Sequence, residues 1–171
     1  MPLRLRCLAV CCLLLAGYGC TQPIAPPEPE RQYNPSADAR GALQRAQKIA
    51  IGSGRYLMVV FGADWCPDCR NLHDNLNSPE VAAYLEDHMD FVTIDVGKKD
   101  RNLALASELG VTVANGIPVA VFFNPDGTQL GTTNQGQLEP SRHFTSGQIL
   151  KFVRAVVEHR QISRPVMPAK A

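Results

Sequence analysis

Two cysteines separated by two residues, Cys66 and Cys69, stand in the run Trp65-Cys66-Pro67-Asp68-Cys69. At a helix start, sulfurs at this spacing occupy neighbouring positions and close a small-ring disulfide with little backbone movement. The chemistry this suggests is thiol–disulfide exchange: one thiolate attacks a disulfide, and the second sulfur resolves the mixed disulfide. Pro67 suits the first helical position. Cys66 then meets unpaired backbone N–H groups and the positive end of the helix dipole, which favour its thiolate. Cys69 lies one turn inside and is expected to be less exposed. Cys66 is therefore the candidate attacking thiol and Cys69 the candidate resolving thiol. The Cys66–Cys69 pair carries the electrons itself, so no cofactor is expected.

The neighbours Asp64, Trp65 and Asp68 tune or shield the pair in this reading. A carboxylate at Asp68, about 6 Å from the Cys66 thiolate in an effective dielectric of about 20, would repel it by roughly 3 kcal/mol, or roughly two pKa units. Solvent exposure at Asp68 reduces that to about one unit or less. A thiolate disfavoured in this way marks a reductant, with a Cys66 pKa of roughly 6.5 to 8 and a potential below about −200 mV. A rival reading takes Cys66, Cys69 and His73, at helical spacing, as ligands for Cu(I) or Zn(II). It lacks a fourth ligand for structural zinc. A purely structural bridge closing so short a loop would stabilise little.

Of the 6 cysteines, Cys7, Cys11, Cys12 and Cys20 fall in the first twenty residues, which argues against a disulfide scaffold and for one functional pair. Arg4 and Arg6, the apolar run 7–16 and the small-residue stretch Gly17-Tyr18-Gly19-Cys20 form a signal peptide over residues 1–19. Its apolar core is too short to span a bilayer. The cysteine after Gly19 makes it resemble a bacterial lipoprotein signal. That resemblance implies an acylated Cys20, a membrane anchor and a cell-envelope, periplasm-facing location; Thr21 suits outer-membrane sorting. Pro23, Pro26, Pro27, Pro29 and Pro35 make residues 20–35 an extended tether, of about 3 Å per residue. Net charge is +1, with 17 basic against 16 acidic residues, and gives no reason to expect nucleic acid.

The elements that must position the dithiol read as follows. A helix capped by Ser36 carries Ala39, Ala42, Leu43, Ala46 and Ile49 and stops at Gly52-Ser53-Gly54. Strands are expected at 56–61, 91–96 and 118–123, with a turn at 124–127 and a short strand at 129–131. Helices are expected from Pro67 to about Asn77, from Ser78-Pro79-Glu80 through Val81, Tyr84, Leu85 and His88, from Asp100 to Gly110, and over 146–159. Residues 135–145 have no assigned role. The alternation argues an α/β domain over 36–160, a central mixed sheet with helices on both faces, followed by a tail over 161–171.

The run Val59-Val60-Phe61-Gly62-Ala63-Asp64-Trp65-Cys66-Pro67-Asp68-Cys69, with Gly116-Ile117-Pro118 and Asn124-Pro125-Asp126-Gly127 downstream, resembles thioredoxin-like proteins. It looks most like bacterial envelope members such as the C-terminal domain of DsbD-type electron carriers. The resemblance implies a thioredoxin fold and a thiol:disulfide oxidoreductase acting on protein disulfides or dithiols, with a transmembrane electron-transfer protein as a further partner. It also implies a cis Pro118 facing Cys66, an Ile117 backbone that pairs with extended substrate, and a Trp65 that shields the site's edge. Many thioredoxins bury an Asp six residues before the first cysteine and pair it with a strand Lys; here those positions fall on Val60 and on or near Phe91. No internal base for Cys69 is evident; Asp64, Asp68 or a water must take its proton, with Asp64 or water preferred.

Overall fold

A computed structural model describes residues 31–158. The signal peptide, Cys20 and the tail expected over 161–171 lie outside the described residues. Among the described residues the α-helices and strands follow in the order α1 (Ala39–Ser53), β1 (Tyr56–Gly62), α2 (Pro67–Leu76), α3 (Pro79–His88), β2 (Met89–Asp95), α4 (Leu103–Glu108), β3 (Val119–Phe123), β4 (Gln129–Thr132) and α5 (Ser146–Val157). The sheet order is β2-β1-β3-β4, with β1 parallel to β2 and the other pairs antiparallel.

Every residue of β3, and all of β1 after Tyr56, is buried, as strands covered on both faces must be. Arg40 of α1 pairs with Glu108 of α4 at 2.8 Å. Phe152 of α5 meets Phe122 of β3 edge-on, and Arg154 lies over the Tyr84 ring of α3. Phe61, Phe122, Leu57, Met58, Leu72, Leu76 and Ile149 are fully buried at the centre. The result is the expected α/β fold, a mixed sheet between helices.

Several boundaries differ from expectation. Helix α1 is capped by Asp38, whose carboxylate accepts the Gly41 N–H at 3.0 Å, while Ser36 lies in the preceding turn, closed by the Ala37 N–H on the Asn34 carbonyl and the Ser36 N–H on Asn34 Oδ1. Ile49, expected on its apolar face, is 56% exposed. Helix α4 starts after Asn102, which adopts the left-handed conformation, while Asp100 accepts the Lys98 N–H. A 3-10 turn at Val113–Asn115 was not expected.

The packed domain also begins before Ser36. Tyr33, in the stretch expected to be tether, is 1% exposed. Its N–H donates to Asp64 Oδ1 at 2.9 Å, and the preceding Gln32 carbonyl accepts from Thr93 Oγ1 at 2.7 Å. One large apolar side chain outweighed the extended character of the prolines around it.

Candidate active site

Cys66 is the N-cap of α2, with Pro67 opening the helix behind it. Its Sγ accepts the Cys69 N–H at 3.3 Å and donates to the Ile117 carbonyl at 3.5 Å. Both cysteines are free thiols and both are buried. A hydrogen bond from the Cys69 thiol, opposed by burial and helped by backbone N–H groups of the first turn, lowers the Cys66 pKa to about 7. Burial pushes the Cys69 thiol far above its ordinary value, and the hydrogen bond with Cys66 adds to that. The asymmetry of the two sulfurs thus follows from the hydrogen bonds that Cys66 receives at the helix start and from the burial of Cys69.

The peptide bond Ile117–Pro118 is cis, and both residues are buried beside Cys66. Trp65 is 55% exposed, and its Nε1 donates to the Gly97 carbonyl at 2.7 Å, so the ring forms an outward edge next to Cys66. Gly116 has no room for a side chain: a Cβ there would lie 1.7 Å from Glu139 Oε1. The Glu139 carboxylate therefore lies against the backbone that leads into Ile117.

Asp68 is not the solvated carboxylate expected from its position. It is 6% exposed, and its carboxylate accepts the Arg142 backbone N–H at 2.8 Å and Nε at 2.9 Å, and pairs with Nη2. Burial by itself raises its pKa, but these bonds outweigh burial and hold the carboxyl below its usual value. The guanidinium offsets the repulsion that Asp68 exerts on Cys66. Arg142 sits in a 3-10 turn, Ser141–His143, inside the stretch 135–145 that had no assigned role. The Nδ2 groups of Asn71 and Asn75, both on α2, hold that stretch by its Ser141 and Phe144 carbonyls. A long-range ion pair of this kind leaves no local signal in sequence.

The other candidates are placed as follows. Val60 is buried between Thr93 on β2 and Ala120 on β3, and Phe91 lies opposite Met58. Asp64 is engaged by Tyr33 through its side chain and by Arg70 through its carbonyl. His73 packs edge-on to Phe91. Among the described residues no three His, Cys, Asp or Glu side chains converge as a metal site, so His73 does not join the two cysteines.

Residues 43–147 match the model of the thioredoxin-like domain family. The chain is similar to the disulphide isomerase of Xylella fastidiosa Temecula1 at 33% identity, over 75% of this chain and 98% of that one, with a TM-score of 0.72. It is also similar to a thioredoxin of Thermus thermophilus, at 25% identity, 66% and 82% coverage and a TM-score of 0.49. The C-terminal domain of Neisseria meningitidis DsbD in its reduced form gives 28% identity, 53% and 78% coverage and a TM-score of 0.41. None of the curated proteins matches the sequence. A dithiol at a helix start, a cis-proline loop facing it and a sequence match over residues 43–147 agree: the chain belongs to the thioredoxin-like domain family.

Proposed function

We propose that Cys66 and Cys69 are the dithiol through which this thioredoxin-like thiol–disulfide oxidoreductase exchanges electrons with protein disulfides. The observation that carries the reading is Cys66 itself. It caps α2, is lowered to about 7, and faces the Ile117 carbonyl. At neutral pH about half of it is thiolate. The thiolate attacks one sulfur of a substrate disulfide, forming the Cys66–substrate bond and releasing the other substrate sulfur as a thiolate. Cys69 then loses its proton and attacks Cys66, closing the Cys66–Cys69 disulfide and releasing the reduced substrate. Ile117 and Pro118 form the wall along which an extended substrate segment lies, and Trp65 covers the outer edge. A pKa near 7, far from the very low values of strong oxidants, supports the reducing direction and a potential below about −200 mV.

The purified protein should reduce insulin in the presence of dithiothreitol, and Cys66→Ser should abolish this. Cys69→Ala should instead accumulate a mixed disulfide on Cys66. Insulin reduction surviving Cys66→Ser would show that the nucleophile lies elsewhere.

The place of action rests on the N-terminal sequence. A lipoprotein-type signal followed by Cys20 and a proline-rich stretch supports an acylated, periplasm-facing protein with a transmembrane electron carrier as redox partner. The full chain should partition into detergent, and Cys20→Ser should release it or stall its processing. An unmodified mature N-terminus in the mass spectrum would exclude the anchor.

A further inference from the structure

The segment between β4 and α5 is fastened on both sides of the dithiol. On one side Asn134 Oδ1 accepts the Thr112 N–H at 2.9 Å and its Nδ2 donates to the Gly110 carbonyl at 2.7 Å. These bonds tie the segment to the loop that runs into Ile117 and Pro118. On the other side Arg142 is bound to Asp68, and the Ser141 carbonyl accepts from Asn71 Nδ2 at 2.6 Å, which ties the segment to α2. Between the fastenings Leu138 and Ser141 are fully buried, so the backbone of Glu139 has little freedom. The Glu139 side chain is half-buried, and both carboxylate oxygens take up the space that a Cβ on Gly116 would fill. A fixed negative charge thus stands against the residue next to Ile117, whose backbone lines the path of the substrate. The other charged groups near that path are engaged differently. Asp68 is neutralised by Arg142, and Asp64 accepts the Tyr33 N–H. Lys99 Nζ reaches the Ala114 carbonyl at 3.4 Å, three residues before Ile117, and His143 is exposed.

We propose that Glu139 is a specificity-determining residue, whose carboxylate selects disulfides that carry a cationic group beside the attacked sulfur. The inference deepens the dithiol-exchange reading and rests on it. A cation brought alongside Ile117 is attracted and an anion there is repelled, so the two differ in rate although the chemistry is the same. In that chemistry the Cys66 thiolate bonds to one sulfur of the disulfide and expels the other as a thiolate. Cys69 then loses its proton and bonds to Cys66, and the second substrate sulfur leaves. Two electrons pass from the dithiol to the disulfide, and the two leaving thiolates take up the two protons that the dithiol gives up.

Two aliphatic disulfides of similar length test this: cystamine, with two ammonium groups, and dithiodipropionate, with two carboxylates. The reduced full chain is mixed with each at about pH 8, where the exposed histidine is neutral. Quenched samples are alkylated and read by peptide mass for loss of the Cys66 and Cys69 thiols. Each rate is divided by that of the same disulfide with dithiothreitol, which removes its intrinsic reactivity, and the ratio of the two quotients cancels any change in Cys66 itself. In wild type at low salt the ratio should favour cystamine about fivefold, and about 1 M salt should shrink it. Glu139→Gln, which keeps the shape and removes the charge, should lower the ratio about fivefold, whereas Glu139→Asp should keep most of it. A wild-type ratio of one or less, a ratio that Glu139→Gln leaves unchanged, or one that Glu139→Asp loses as fully as Glu139→Gln overturns the inference while the exchange reading stands. If neither disulfide oxidises the Cys66–Cys69 pair, the exchange reading fails, and the inference with it.

Discussion

Asp68 and Arg142 act on the Cys66 thiolate with opposite signs, and each also controls the other. Asp68→Asn leaves the guanidinium unopposed, so the Cys66 pKa should fall below about 7, by about one unit or less across a partly exposed pair. Arg142→Gln leaves a buried carboxylate without its cation, so the Cys66 pKa should rise instead. Thiolate absorbance against pH in both variants reads this directly, and two shifts of the same sign would contradict the ion-pair account. The linkage to stability follows from the depressed Asp68 pKa. Its contribution is present above the unfolded value of about 3.9 and is lost as pH falls through the lower folded value. The gap in stability between wild type and Asp68→Asn should therefore close below about pH 4, as measured by urea unfolding.

Helix α2 does two jobs, presenting Cys66 at its start and holding the 135–145 stretch with Asn71 and Asn75 along its length. Asn71→Ala removes the donor to two carbonyls and should cost about 1–3 kcal/mol in urea unfolding, with the second carbonyl still served by Asn75. Local pattern made the strands and the dithiol helix legible. Tyr56 to Phe61 is an unbroken apolar run and Pro67 marks a first helical position, whereas the loop at Gly116-Ile117-Pro118 that faces Cys66 was legible only through the resemblance to thioredoxin-like proteins. What sequence did not disclose were features whose partners lie far along the chain. Asp68 is paired 74 residues away, and Tyr33 reaches Asp64 across 31 residues. The cap of α1 was misplaced for a local reason, since Ser36 and Asp38 are both capping residues and Ser36 lies in the turn that precedes the helix.

The whole molecule couples its redox state to its stability through the same buried groups. In the reduced protein Cys69 and Tyr33 both have raised folded pKa values. Their contribution is complete below the unfolded values, about 8.5 and about 10, and is lost as pH rises beyond them. Cys66, lowered to about 7, has the opposite sign and adds stability between about pH 7 and 8.5. The oxidised protein has neither thiol, so its alkaline loss should begin only near pH 10, and in thermal melts the reduced form should gain on the oxidised one between about pH 7 and 8.5 and lose ground above about pH 8.5. The chemical asymmetry behind all of this is that one sulfur is ionised near neutrality while its neighbour is not. The most direct test is the alkylation rate of the reduced protein with iodoacetamide across pH, resolved by peptide mass. Cys66 should react with a midpoint of about 7 while Cys69 stays unmodified; equal modification of both, or a midpoint at the ordinary thiol value of about 8.5, would contradict the account.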